Sequence, residues 1–484
     1  MCLVSWQTEG HGERRSRDTM RMSGERLSGV DRAWLRMDRP GNPMTIVGLI
    51  VLGRRLKRGQ LRDLLARRLL AFDRFRCVPV GDALGATWAQ SPSFSLDDHV
   101  IPAAVAAPGG QRELEALVGE LAGTPLPAGR PLWTFHLIER YGAGSAIIVR
   151  IHHCYGDGVA LLYTLLSLSD GQSDNPSASP ETLPASTMQV AQTALPSWED
   201  IASLIEGGVH YALHPAEVSV TAREALAVGG ELARIAAMPD DPSTRLKQPL
   251  SGSRRVAWTQ ALSLEEVRAV ARALGCTVND VLVSTLAGAL GRYLASGETA
   301  VADLTLRAVV PVNLRPSADP RQLAGTRALG NCFGLVFVEL PVGVLHPLER
   351  LYAVHATMLA LKASAQARAT LGLLSVLGAL PDSVEALALG LFGAKASLVA
   401  SNLRGPDEAL SLAGRPVTEV LFWVPQAGGI GTGVSMLTYR GRVQFGVTSD
   451  RALIPDPERL VAQLAIEFER LVFLVLLGAG SLRD

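Results

Sequence analysis

AIIVRIHHCYGDGVA, residues 146–160, sets an apolar run against two adjacent histidines and then an aspartate bracketed by glycines. The run predicts a strand, Gly156 to Gly158 a tight loop, and GVALLYTLLSL a following helix. Side chains alternate along a strand, so His153 is expected to share a face with Ile147, Val149 and Ile151, and His152 to point with Ile148 and Arg150. His153 stands at the strand end, where a loop opens a channel, and is the candidate general base, because a neutral imidazole takes up a proton near neutral pH. Asp157 follows across a bend that Gly156 and Gly158 permit. Its carboxylate either holds the imidazole tautomer or pairs with an arginine to fix the loop. The plainer alternative, a buried His and Asp that satisfy a turn, fits four specified residues less well than it would fit a lone histidine.

Outward from this stretch, TIVGLIVL at 45–52 predicts a strand and QLRDLLARRLLAF at 60–72 a helix, and a second helix, QRELEALVGELAG, leads into PLWTFHLIE, the strand partner of AIIVRIHH across the GAGS turn. Such mixing predicts an α/β (α+β) layered fold. The polar, Pro-rich stretch 169–197 reads as a surface linker. Helical segments to about 238 and a loop at 239–255 connect to a second sheet-based half. In that half Ser263 caps LEEVRAVARALG, and a later strand pair turns at Arg440 and Gly441. The expected division is a flexible extension over 1–26, a first lobe over 27–168, linker and connecting helices over 169–250, and a second lobe over 251–484.

The 46 basic and 46 acidic side chains cancel, leaving no broad positive field for nucleic acid. With 48% hydrophobic and 19% charged residues, disorder is excluded for most of the chain. Cys2, Cys77, Cys154, Cys276 and Cys332 form no CxxC pair, which disfavours a zinc ribbon or a disulfide framework and fits a reducing cytoplasm. Cys154 is expected to be a small packed side chain. His99, His136, His210, His214, His346 and His355 show no ligand spacing, so no metal is expected. The glycines of GGIGTG at 428–433 open a strand, not a helix, and lack dinucleotide-site spacing. The apolar stretches 371–401 and LVFLVLLGAG near the end are too interrupted or too short to span a bilayer. They read as core helices or as an interfacial patch.

His152-His153-Cys154-Tyr155-Gly156-Asp157-Gly158 resembles the HHxxxDG motif of coenzyme-A-dependent acyltransferases. Further motifs follow in the order of the bacterial wax ester synthase/diacylglycerol acyltransferase family: Pro131-Leu132-Trp133, then Asn279-Asp280, then Val310 to Arg315, then Gly330-Asn331, then Ser401-Asn402-Leu403-Arg404-Gly405-Pro406. The last departs from the family's SNVPGP at two central positions. The resemblance covers about residue 27 to the end.

It implies a two-lobe sandwich with mixed sheets and a tunnel at the lobe interface. Acyl-CoA would enter from one side and a long-chain alcohol or diacylglycerol from the other, with no cofactor. Catalytic roles are implied for His153, Asp157 and Asn279, the last as an oxyanion donor or simply a helix N-cap. Gly158, Trp133, Asn313 and Arg315 are candidates to line or shape the substrate channel. Trp133 also reads as a core anchor, and Arg315 as the partner of Asp157. The expected setting is cytoplasmic, peripheral to a membrane or lipid inclusion. The alternatives are an acyltransferase with a different small alcohol or amine acceptor, and a non-catalytic protein that coats lipid inclusions.

Overall fold

The computed structural model describes residues 22–39, 41–82, 85–170, 220–297, 300–315, 329–378 and 382–481. The linker expected at 169–197 lies almost wholly outside them, as do the first 21 residues of the expected extension. Residues 22–26 are not part of a loose extension. Met22–Arg26 is strand β1, pairing with β4 (Gly85–Gln90), which also pairs with β3 (Cys77–Asp82). Backbone pairing decides this strand, since MSGER carries no apolar alternation to announce it.

The decisive stretch becomes strand β7 (Gly144–His152), central in a six-stranded sheet. The sheet order is β13 (Ser411–Leu412), β14 (Arg415–Trp423), β2 (Thr45–Leu52), β7, β6 (Trp133–Tyr141) and β5 (Val100–Ala103). Ile147, Val149 and Ile151 pack into one apolar cluster, while Ala146 and Ile148 pack into another on the opposite face. Burial on both faces is why β7 reads as an unbroken apolar run instead of an alternating one.

Two of these strands, β13 and β14, come from beyond residue 251, so the sheets do not divide where the sequence boundary was drawn. Six Cα partners join β14 to β2, from Val417↔Leu52 to Trp423↔Val47.

The second sheet runs β11 (Phe333–Leu340), β10 (Leu306–Asn313), β12 (Leu398–Arg404), β15 (Thr432–Tyr439), β16 (Arg442–Asp450), β8 (Arg254–Trp258), with β9 (Leu262–Ser263) also on β16. It is mixed: β12 lies parallel to β10 and β15, and the other pairs are antiparallel. Arg440 and Gly441 turn β15 into β16 with φ of 51° and 68°, the two positive values a two-residue hairpin of this hand requires.

The helices in chain order are α1 (Gly29–Met37), α2 (Arg58–Arg68), α3 (Gln111–Gly123), α4 (Gly158–Leu166), α5 (Val220–Ala237), α6 (Leu264–Ala273), α7 (Val278–Ala295), α8 (Pro347–Ala363), α9 (Gln366–Leu377), α10 (Asp382–Ala394) and α11 (Pro457–Ser481). Ser263 caps α6 as expected, its Oγ accepting from Glu266 N at 3.3 Å. Almost every residue of α7 is buried, and the second-lobe core surrounds it.

Helices α1 and α9 touch backbone to backbone. A Cβ on Gly378 would fall on the carbonyl oxygen of Gly29, and one on Gly29 would fall on that of Ser375. This close crossing brings Trp34 on α1 and Leu374 on α9 to the walls of one cavity.

Candidate active site

Strand β7 stops at His152, and His153 to Tyr155 form a single tight helical turn. The alternation rule therefore ends one residue too early for His153. Its ring leaves the Ile147 face and packs with the α1–α9 group instead, stacked on Trp34 with ring centres 4.0 Å apart and 13° between planes, and tilted against Phe333 at 5.7 Å. The turn is anchored from several sides. His153 N donates to Met44 O at 2.8 Å, and the buried Tyr155 hydroxyl donates to Cys77 O at 2.9 Å while accepting from Leu132 N at 3.0 Å.

His152 is structural. Its Nδ1 accepts from Cys154 N at 3.2 Å, and its Nε2 is sealed with no hydrogen-bond partner among the described residues, the Asp38 carboxylate lying 3.9 Å away. Cys154 is fully buried, and burial drives its thiol pKa well upward, as suits a packing residue.

Asp157 caps α4, its Oδ1 accepting from Ala160 N at 3.0 Å. Its Oδ2 accepts from Arg315 Nη1 at 2.6 Å and from Cys332 N at 2.9 Å. Of the two roles left open by the sequence, the geometry supports bracing the loop, with Arg315 as the partner. Arg315 Nη2 also donates to Gly330 O at 2.8 Å, and Asn313 Oδ1 accepts from Arg315 N at 3.2 Å. Gly156 bridges to Gly330, where a Cβ would press on Ala160 at 3.1 Å and on Gly330 N at 3.3 Å.

His153, Asp157, Gly158 and Asn313 line one cavity of about 1190 Å³, counting its open mouth. The walls come from both lobes. Trp34, Phe333, Leu374, Phe392 and Val399 make them largely apolar, and Ser401 and Asn402 are among the polar additions.

His153 is only 5% exposed, and loss of hydration pushes its pKa from the ordinary imidazole value down to about 4, against the upward pull of the Asp157 carboxylate. It is thus neutral at pH 7, the form that accepts a proton.

Three expected site residues are not among the cavity-lining residues: Arg315, which stands behind the cavity as the partner of Asp157, and Trp133 and Asn279. Trp133 is fully buried and not among the cavity-lining residues. Its indole N–H donates to Phe75 O at 2.9 Å and its ring stacks on His99 at 4.1 Å, so packing, not substrate contact, explains it. Asn279 is not the N-cap of α7: Thr277 is, with Asp280 closing a capping box. Nor does it line the cavity. Its Oδ1 accepts from Asn402 Nδ2 at 2.9 Å, placing it one layer behind a residue that does.

The structure also gathers groups that spacing had not revealed. Asp280 Oδ2 meets His355 Nδ1 at 2.7 Å with Cys276 close by, a grouping whose visible task is to hold the start of α7. Trp34, Phe333 and Asn402 join the cavity from three segments. Only Asn402 carried a sequence signal, within its motif.

With this geometry in view, residues 27–282 match the wax ester synthase/diacylglycerol acyltransferase catalytic domain, and residues 329–472 match the C-terminal domain of the same family. The chain belongs to the wax ester synthase/diacylglycerol acyltransferase family.

Among its relatives, a probable diacylglycerol O-acyltransferase of Mycobacterium tuberculosis is 31% identical over 425 residues, covering 84% of this chain and 86% of that one. A putative diacylglycerol O-acyltransferase of Mycobacterium bovis is 30% identical over 477 residues, covering 94% and 92%. The fold matches a solved wax ester synthase/diacylglycerol acyltransferase from Marinobacter aquaeolei with a TM-score of 0.65 at 21% identity, covering 93% of this chain and 99% of that chain. More distantly, the starter condensation domain of rhizomide synthetase, solved with C8-CoA and Leu-SNAC, has a TM-score of 0.55 at 16% identity, covering 93% and 94%. These likenesses bear on the fold alone, and they agree with the family match.

Proposed function

We propose that this protein is an acyl-CoA-dependent O-acyltransferase that moves a fatty acyl group onto a long-chain alcohol or diacylglycerol, with His153 as the general base. The observation that carries the reading is a neutral imidazole facing a large apolar cavity open to the outside. His153 Nδ1 is sealed, which leaves Nε2 as the nitrogen for the cavity. In this reading Nε2 takes the alcohol proton as the alcohol oxygen attacks the thioester carbonyl carbon. The tetrahedral intermediate then collapses, the C–S bond breaks, and the proton passes from Nε2 to the departing CoA sulfur. Acyl-CoA and alcohol thus become ester and free CoA with no covalent acyl-enzyme.

The apolar walls hold two long chains at the thioester and exclude competing water. Asp157 and Arg315 keep the His153 loop in place, and Asn279 acts through Asn402, whose amide borders the cavity.

The setting we infer is the surface of a membrane or lipid inclusion. Helix α10 presents Leu389 and Phe392 to the cavity and Val384, Leu387 and Leu391 to solvent, so one helix is both wall and apolar outer face. Among the described residues no single helix is long and apolar enough to cross a membrane.

The test is ester formation from palmitoyl-CoA with hexadecanol or dipalmitoylglycerol. His153→Ala is expected to retain its fold and to lose about 100- to 10,000-fold in kcat, the usual worth of a positioned base. Undiminished turnover would remove His153 from this role.

A further inference from the structure

Asn331 sits beside the proposed base with its hydrogen bonds half allotted. Its backbone N donates to Asp31 Oδ1 at 3.1 Å. Its Nδ2 donates to the same oxygen at 2.7 Å and to the main-chain oxygen of His153 at 2.9 Å. Both Nδ2 hydrogens therefore face oxygen acceptors. A flipped amide would set its own oxygen against a carboxylate and a carbonyl, so the orientation is fixed by its partners. Oδ1 is left on the remaining side, buried and without a partner among the described residues. On the adjoining residue, His153 Nδ1 is likewise buried and without a partner. A sealed acceptor and a sealed nitrogen, each costly if left unpaired, belong to two residues already joined by a hydrogen bond.

We propose that Asn331 is the positioning residue for His153: its Oδ1 takes the Nδ1 proton, so that the neutral ring keeps its lone pair on Nε2, toward the cavity. This rests on the reading of His153 as the base. Against the larger lowering by burial, the ring's own main-chain oxygen and then the Asn331 side chain raise the proton affinity of the imidazole.

Asp31 fastens the amide. It is 2% exposed, lies on the same helix as Trp34, and has Arg74 Nη1 3.8 Å away. The ring is thus gripped on its face by Trp34 and at its edge by Asn331, both ultimately held by α1. An amide suits the task because it fixes the tautomer without the charge of a carboxylate, which would make the imidazolium too stable to return its proton.

The other groups that bear on His153 are Asp157, braced by Arg315, and His152; Asp31, paired with Arg74, stands behind Asn331. All of them stay in place in the first variant below.

The experiment compares Asn331→Ala, the double exchange Asp31→Asn with Asn331→Asp, and His153→Ala. It reads kcat, KM for palmitoyl-CoA, the pH dependence of kcat/KM, and the ring nitrogen shifts of His153 by selective 15N-histidine labelling. The resting wild-type protein is expected to show a single tautomer with the proton on Nδ1, and Asn331→Ala a mixture. Asn331→Ala should lose about 10- to 100-fold in kcat with KM unchanged, the scale of losing a ligand-orienting partner. The double exchange turns a carboxylate toward the ring and should move the acid limb upward by about one pH unit or more.

Wild-type tautomer and kcat in Asn331→Ala would overturn the proposal. If that variant does not fold, an unmoved acid limb in the double exchange overturns it instead. The tautomer is measured without turnover, so it fails separately from the base assignment, which fails on an active His153→Ala.

Discussion

At Asp157, the carboxylate accepts from a guanidinium and two backbone amides, and it touches the imidazole only through its field. Arg315→Ala would leave that carboxylate buried beside one lost partner, and breaking a buried pair costs about 3–5 kcal/mol. Urea unfolding of Arg315→Ala is expected to show a loss of this size, with partial recovery in Arg315→Lys. Unchanged stability would mean the pair does not brace the loop.

The buried histidines give a second expectation. Burial depresses the pKa of His136, His152 and His153 to about 4 in the folded chain, with the Arg150 charge also acting on His136. The unfolded chain therefore binds more protons between about pH 6.5 and 4, and the stabilisation present above 6.5, up to about 3 kcal/mol for each ring, is lost as pH falls through that window. Asp31 and Asp38, whose pKa values burial raises, oppose this. Urea midpoints at pH 7 and 4.5 check the balance, and a midpoint no lower at 4.5 would contradict it.

The HHxxxDG spacing made His153, Asp157 and Gly158 legible, because residues five apart on a strand and its loop must stay together. Trp34 and Asn331, which grip the same ring, stand 119 residues before it and 178 after it in the chain. No local pattern links such positions, and only the folded sheets bring them together.

Among the elements, strands buried on both faces and helices with caps were readable from composition and period. The β15–β16 hairpin was readable from Arg440 and Gly441. The stretch 371–401, read from the sequence as interrupted core helix or an interfacial patch, folds as the end of α9, helix α10 and the start of β12, the strand being the part that reading lacks. Its grease serves two directions, and periodicity alone does not say which face meets what. For α10 the consequence is measurable. Leu387 and Leu391 are 66% and 56% exposed, so Leu387→Glu with Leu391→Glu should leave melting unchanged. Flotation with phospholipid vesicles should fall, as should turnover of long-chain alcohol presented in vesicles. Equal flotation would take α10 out of the docking role.

Across the whole molecule, a sheet in each half was expected from the sequence but the passage of β13 and β14 from the second half into the first sheet was not, because they follow a region that patterns as the second lobe. Strand β2 has β14 on one side and β7 on the other. A fragment covering 22–250 would bare the β14-facing edge of TIVGLIVL, an apolar strand with open backbone donors and acceptors. Expressed alone, that fragment is expected to collect in the insoluble fraction, and co-expression with 251–481 should bring it into solution. A soluble, monomeric 22–250 would show that β14 is dispensable.

The same one-way crossing sets a schedule for biosynthesis. While the ribosome is still making the second half, the early sheet has no neighbour for its outer edge, and it gains one only when residues 415–423 have left the exit tunnel. For some three hundred and sixty codons after β2 is translated, the nascent chain carries a sticky margin that a chaperone or slow elongation has to guard.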